Sequence, residues 1–255
     1  MTSEPGFILA PVISTHRFAP IVKNPSSLLA LACLSGMTAT HGALIASHTG
    51  LNDPSTEGFV LSDSSAVAGP VSGDMGLDAW SVDSTGGYYN HRFTVGAAEV
   101  TDANSNGWLL SMTLRLVDAP DAMDFGVSAD YVSSGGIFRI GFGTQADGDP
   151  IVGLDTDSGV TLFEFEGGGT GYHNYQIHYD PTTGSATLSI DGTVRLSGWT
   201  GRTGPAPSLL NFGSYGPGHA NWNEFTFSSV PEPGAAVLAG IACGLGAMRR
   251  RRSAC

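Results

Sequence analysis

Apolar and polar positions alternate with a period of two along the middle of this chain. In Trp108–Val117 the residues Trp108, Leu110, Met112, Leu114 and Leu116 are apolar, while Ser111, Thr113 and Arg115 stand between them. That is the pattern of an antiparallel strand with one face buried and the other in water. Phe125–Tyr131 sets Phe125, Val127, Ala129 and Tyr131 on one face, Ile137–Phe142 sets Phe138, Ile140 and Phe142 opposite Arg139, and Val160–Phe165 follows the same rule. Shorter strand-like pieces, Ala43–Ser47, Gly58–Leu61 and Ala79–Val82, precede them. No stretch of the body sustains a 3.6-residue period, so the pattern predicts strands and no helix.

The most explicit segment is Tyr172–Trp199. Its first strand alternates through Tyr175, Ile177 and Tyr179, and Asp180-Pro-Thr-Thr-Gly184 then supplies turn chemistry, with Pro181 fixing φ and Gly184 free to take positive φ. Ala186, Leu188 and Ile190 line the next strand, Asp191-Gly192 makes a tight hairpin turn, and Thr193–Trp199 returns. Trp222–Phe227 closes the body with Phe225 and Phe227. The meander resembles those of the concanavalin A-like (laminin G type) family. The resemblance implies an all-β, antiparallel jelly-roll sandwich of about twelve short strands, with carbohydrate or calcium at a loop edge or on a sheet face.

Composition agrees with strands and turns. Glycine accounts for 36 of 255 residues, and Lys23 is the only lysine. Between Leu44 and Val230, 21 Asp and Glu face five Arg, a net charge of −16. So acidic a body lacks the clustered Lys and Arg that phosphate backbones require, which excludes nucleic acid as a partner. Cys33, Cys243 and Cys255 all lie in the terminal segments, so the body has no disulfide, thiolate metal site or cysteine nucleophile.

Both ends read as addresses. After an irregular, proline-punctuated start, Arg17 and Lys23 precede the apolar run Leu28–Leu34 and small residues up to Ala43, the order of a secretory signal peptide over residues 1–43. At the other end, Pro231-Glu232-Pro233 is followed by an uncharged run, Gly234–Met248, and then Arg249, Arg250, Arg251 and Arg252. Fifteen residues of helix reach roughly 22 Å, short of the ~30 Å hydrocarbon core. The arginines favour the cytoplasmic side. This order resembles the PEP-CTERM sorting signal of bacterial exported proteins. The resemblance implies an exosortase-type processing protease as partner, a short transmembrane helix as a transient membrane anchor, cleavage near the proline pair, and delivery to the cell surface or exopolysaccharide matrix. The domain reading is therefore 1–43 signal, 44–229 sandwich and 230–255 sorting tail.

Candidate chemistry within the body is sparse. Asp147, Asp149, Asp155 and Asp157 alternate around glycines, a way for loops to gather oxygen ligands for calcium, with Asp118, Asp121 and Asp124 as a second cluster; solvated acidic turns fit the same spacing. Sandwich glycosidases carry Glu-x-Asp-x-Glu on one strand face. The nearest approach here, Glu164-Phe-Glu166, lacks the third acid and reads as the outward face of an edge strand. His173 and His178, five apart, fall on opposite strand faces, and no nucleophile elbow stands out. Trp199, Tyr215, His219 and Trp222 lie near glycine-rich turns and are candidates for stacking on sugar rings, with core packing as the other explanation for the tryptophans. The expectation is an exported, non-catalytic carbohydrate-binding or structural module, the alternative a divergent glycan-active enzyme.

Overall fold

The computed structural model describes residues 42–230 apart from 86, 88, 119–121 and 205–206. The expected signal segment, as far as residue 41, and the expected sorting tail from Pro231 onward lie outside the described residues. Fifteen strands follow one another: β1 (Leu44–Thr49), β2 (Val60–Ser64), β3 (Val67–Asp74), β4 (Leu77–Asp83), β5 (Tyr89–Thr94), β6 (Trp108–Asp118), β7 (Val127–Ser133), β8 (Gly136–Thr144), β9 (Pro150–Thr156), β10 (Gly159–Glu164), β11 (His173–Asp180), β12 (Ser185–Ile190), β13 (Thr193–Trp199), β14 (Leu209–Ser214) and β15 (His219–Ser229). Among the described residues one helix, α1 (Ala97–Asn106), joins β5 to β6, and short 3-10 turns occupy Pro54–Glu57 and Ala122–Asp124.

The strands pair antiparallel into two sheets. One has the order β13-β12-β11-β6-β15-β4-β3 with β1 added on β15; the other has the order β10-β9-β8-β7-β14-β5-β2. Side chains from the two inner faces interlock as a sandwich. Trp108 of β6 meets the edges of Tyr131 in β7 and Phe138 in β8, Tyr175 of β11 meets Phe142, and Phe225 of β15 stacks on Phe212 in β14 at 4.9 Å. Each such aromatic pair adds roughly 0.5–1.5 kcal/mol beyond its buried area. The expected hairpin at Asp191-Gly192 is present, with φ of 51° and 74°, the two left-handed residues of a type I′ turn.

Several elements depart from the pattern reading. Residues 209–214 form a central strand buried along its whole length, Asn211 and Ser214 included, so no alternation marks it. Asp155, expected in an acidic loop, belongs to β9 (Pro150–Thr156), a strand the pattern did not mark, and β3 and β5 carry too few apolar residues to stand out. A helix exists after all: α1 buries only Val100 and Ala103, so two positions cannot establish a period. Phe125 precedes its strand at φ 51° and is only half-buried, its ring lying beside the Arg139 guanidinium.

The core also holds two imidazoles. His48 and His91 both stack on Phe212, with centroids 5.2 and 5.1 Å away. His48 keeps one hydrogen bond, Nδ1 to Glu57 at 2.7 Å, while its Nε2 and both nitrogens of His91 find no partner among the described residues. Burial lowers the pKa of His48 against the pull of Glu57, and pushes His91 down to about 4. An unfolded imidazole binds its proton near 6.5 and the native His91 only near 4, so stability is intact above 6.5 and is lost as pH falls toward 4. For His91 the loss is about 3 kcal/mol, at about 1.4 kcal/mol per unit. Denaturant unfolding followed from pH 7 to 4 should show this decline, and His91→Phe should flatten it; an equally steep decline in that variant would refute the assignment.

Candidate functional site

The alternation that buries Leu110 and Met112 in β6, Phe225 and Phe227 in β15, and Tyr175 and Ile177 in β11 turns the intervening side chains outward. Strand register then lines them up. Ser47 of β1 lies opposite Thr226 of β15, Thr226 opposite Ser111 of β6, Ser111 opposite Gln176 of β11, and Gln176 opposite Ser189 of β12. With strands roughly 4.8 Å apart this is a straight row of about 19 Å. It consists of hydroxyls and one amide, all half-buried. The Gln176 amide has no partner among the described residues. A second row, Asn174, Thr113, Glu224 and Thr49, runs beside it, and Asn174 Nδ2 ties the two by donating to Thr113 Oγ1 at 3.0 Å and Ser111 Oγ at 3.4 Å.

One end of this face is fixed by Asp74. Although β3 and β6 are separated by β4 and β15, the Asp74 carboxylate accepts both Nε and Nη2 of Arg115 at 2.8 Å, the Tyr172 hydroxyl at 2.9 Å and Asn221 Nδ2 at 2.7 Å. The turn after β3 reaches over the sheet because Gly73, Met75 and Gly76 all take positive φ. Arg115, then the Asn221 and Tyr172 hydrogen bonds, hold the carboxyl at about 2 against the cost of desolvation. Asn221 is 4 % exposed, and its Oδ1 has no partner among the described residues. His219 also sits here, its Nε2 2.9 Å from Ser81 Oγ.

The other aromatic candidates do not join it. Trp222 is wholly buried against Phe212 and Phe142, and Trp199 packs on Phe138 while its Nε1 donates to the Asp155 carbonyl at 3.1 Å. Neither indole offers a face to a sugar, because burying so large an apolar surface outweighs exposing it. Tyr215 belongs to a network on the seven-stranded sheet. Its hydroxyl donates to Asp130 at 3.1 Å and its ring lies 4.6 Å from the Arg139 guanidinium, which Phe125 flanks on another side. Asp130, fully buried, also accepts from Arg139 Nε at 3.1 Å and from Asn211. Burial raises its pKa against the pull of Arg139. Every bond of this network is internal, and it joins β7, β8 and β14.

Nor are the four aspartates brought together. Asp147 accepts from the Asp149 amide, Asp149 accepts from the amides of Gly167 and Gly169 at 2.7 and 3.1 Å, and Asp157 accepts from the amide and hydroxyl of Thr203 at 2.7 and 2.9 Å. Those amide bonds lower the pKa of Asp149 and Asp157. Asp155 points from β9 toward Arg202 at 3.3 Å and Arg139 at 3.9 Å. Protein donors thus do in each loop what a cation would do. Among the described residues no three His, Cys, Asp or Glu gather as a metal site. Asp118 and Asp124 are exposed and Asp121 lies outside the described residues. Glu164 and Glu166 are exposed at and just beyond the edge strand β10, and the intervening Phe165 is buried. His173 is held between Asp191 and the Gly169 carbonyl, and His178 is exposed on the opposite face.

Sequence reasoning therefore missed Ser47, Gln176, Ser189, Asn221, Tyr172, Thr226 and Asp74. Their signal was the polar half of each alternating strand, but which polar residues become neighbours depends on register between strands far apart in sequence.

No protein-family model matches the chain. A sialidase of Vibrio cholerae serotype O1 is 22% identical over 189 residues, covering 68% of this chain and 22% of that enzyme. The chain thus spans under a quarter of the length of the curated relatives it matches. Among solved structures, a carbohydrate esterase from Shiga toxin-encoding bacteriophage phi24B superimposes with TM-score 0.57 at 12% identity, covering 74% of this chain and all of that one. Botulinum neurotoxin type C superimposes with TM-score 0.50 at 12% identity, covering 78% of this chain and 51% of the other. At these identities the likeness to the solved structures establishes the architecture alone, an antiparallel two-sheet sandwich.

Proposed function

We propose that this chain is an exported, non-catalytic module that binds an extended neutral polysaccharide across the outer face of its eight-stranded sheet. The observation that carries the reading is the row Ser47, Thr226, Ser111, Gln176 and Ser189. A solvent face is ordinarily studded with charges, whereas this row offers only neutral donors and acceptors, spaced one strand apart, near the length of one pyranose unit in an extended chain. The net charge of −16 disfavours polyanions, which leaves neutral glycans as the matching polymer. Three similar proteins support a sugar partner: one is a sialidase, one a carbohydrate esterase, and one a toxin whose interaction with two ganglioside molecules is described. The Pro231-Glu232-Pro233 tail with Arg249–Arg252, and the N-terminal signal, are the proposed route to the cell surface or matrix.

A catalytic reading is favoured by the sialidase and esterase names, and it would need an acid pair such as Glu164 and Glu166. Turnover of a soluble glucan that disappears with Glu164→Gln would establish it in place of the binding reading.

Two outcomes are expected. The triple variant Ser111→Ala, Gln176→Ala, Thr226→Ala should lose about tenfold or more in affinity for a neutral glucan, with unfolding changed by about 1 kcal/mol or less, as surface substitutions usually are; unchanged affinity in affinity electrophoresis would sink the proposal. Replacing Arg249–Arg252 with Ala should block processing or retention of the exported chain in cell fractions, and normal surface delivery of that variant would contradict the sorting assignment.

A further inference from the structure

A second polar feature lies where a turn of the seven-stranded sheet meets the segment that leaves β13. Where β7 turns into β8, Ser134, Gly135 and Gly136 face the segment that follows β13, and between them is a recess of about 210 Å³. Its far wall is Thr200, Arg202, Thr203 and Gly204. That wall is fixed in advance. Ile137 and Arg202 exchange both backbone hydrogen bonds at 2.9 Å, Asp157 grips Thr203 through amide and hydroxyl, and Trp199 anchors the start of the segment on Asp155. A ligand entering would have little loop ordering to offset.

The lining is chemically one-sided. Among the described residues no carboxylate, aromatic ring or aliphatic side chain contributes to it, in a body that carries 21 acids. The hydroxyls of Ser134 and Thr200 have no partner among the described residues. Arg202 lies 3.3 Å from Asp155 through Nε, yet that nitrogen makes no well-aligned hydrogen bond, and its side chain is 43% exposed. Its terminal amino groups likewise have no partner among the described residues. These are free donors beside hydroxyls and glycine backbone, which suits a polyol and gives nothing for an apolar ligand to bury. Asp155 and Asp157 close behind Arg202 offset its charge, so the recess has no surplus attraction for an anion. Its volume suits one sugar ring and not a run of them.

We propose that this recess binds a single neutral pyranose unit, as at the end of a glycan chain, with Arg202 and Thr200 donating to its hydroxyl oxygens. The site is separate from the outer row on the eight-stranded sheet and does not depend on it. Occupied together, two separate sites would let one module hold two glycan chains, the condition for cross-linking a matrix.

The test is amide NMR of the purified protein titrated with the methyl pyranosides of glucose, galactose and mannose. The proposal expects at least one of them to shift the amides of residues 134–136 and 200–204 saturably in the millimolar range. Arg202→Gln should weaken that binding about tenfold and Thr200→Ala a few-fold; Thr200 makes no internal bond, so its variant should unfold as the parent does. The Ser111, Gln176, Thr226 triple variant should bind the pyranoside unchanged, which separates failure of this site from failure of the outer row. No saturable shift with any of the three sugars, or shifts that persist undiminished in both recess variants, would overturn the proposal.

Discussion

The pairing of β6 with β15 governs the rest of the molecule, since one register decides both what is buried and what is displayed. Ser229 lies opposite Trp108 and the ladder runs to His219 opposite Asp118, with two irregularities, one between Trp222 and Glu224 and one between His219 and Ala220. A slip of one residue would turn Phe225 and Phe227 outward and Thr226 inward, because side chains alternate strictly along a strand. In the native register the same two strands bury Leu110, Met112, Phe225 and Phe227 and set Ser111 beside Thr226. Core and candidate binding surface are thus two faces of one constraint. The pairing joins residues more than a hundred apart in sequence, and such contacts form late and slowly.

With no cysteine in the body, interlocked aromatic rings and buried polar clusters do the joining. Asp130 ties β7, β8 and β14 to the loop bearing Tyr215, and Asp74 ties the β3–β4 turn to β6, β15 and the segment before β11. Gly141 and Gly153 let the 3-10 turn at Ala122–Asp124 rest directly on β8 and β9, where any side chain would collide with the Ala122 carbonyl. An acidic surface is made compatible with tight turns in the same manner, as Asp149, Asp157 and Asp180 each accept backbone amides that the loops would otherwise leave unpaired.

Much of the fold was legible because one-sided burial writes itself into alternation. The β6, β8, β11, β12 and β13 strands, and the turn at Asp191-Gly192, read directly. Leu209–Ser214 did not, because a central strand buried on both faces loses its period, and α1 did not, because two buried residues make none. The candidate sites were less legible. Tryptophans near glycine turns suggest a sugar platform by type, but their area draws them into the core, and closely spaced aspartates suggest a cation by type, but nearby amides claim them. Rows such as Ser47 to Ser189 exist only once strands distant in sequence are paired.

The central proposal is that the outer face of the eight-stranded sheet is the glycan surface. Cross-saturation NMR, in which a bound neutral polysaccharide is irradiated and the loss of protein signal is mapped, tests this most directly. The strongest transfer should fall on the side-chain amides of Gln176 and Asn174 and on neighbouring groups of β6, β11 and β15. Transfer concentrated instead on the edge strand β10 around Glu164, with Gln176 untouched, would contradict it.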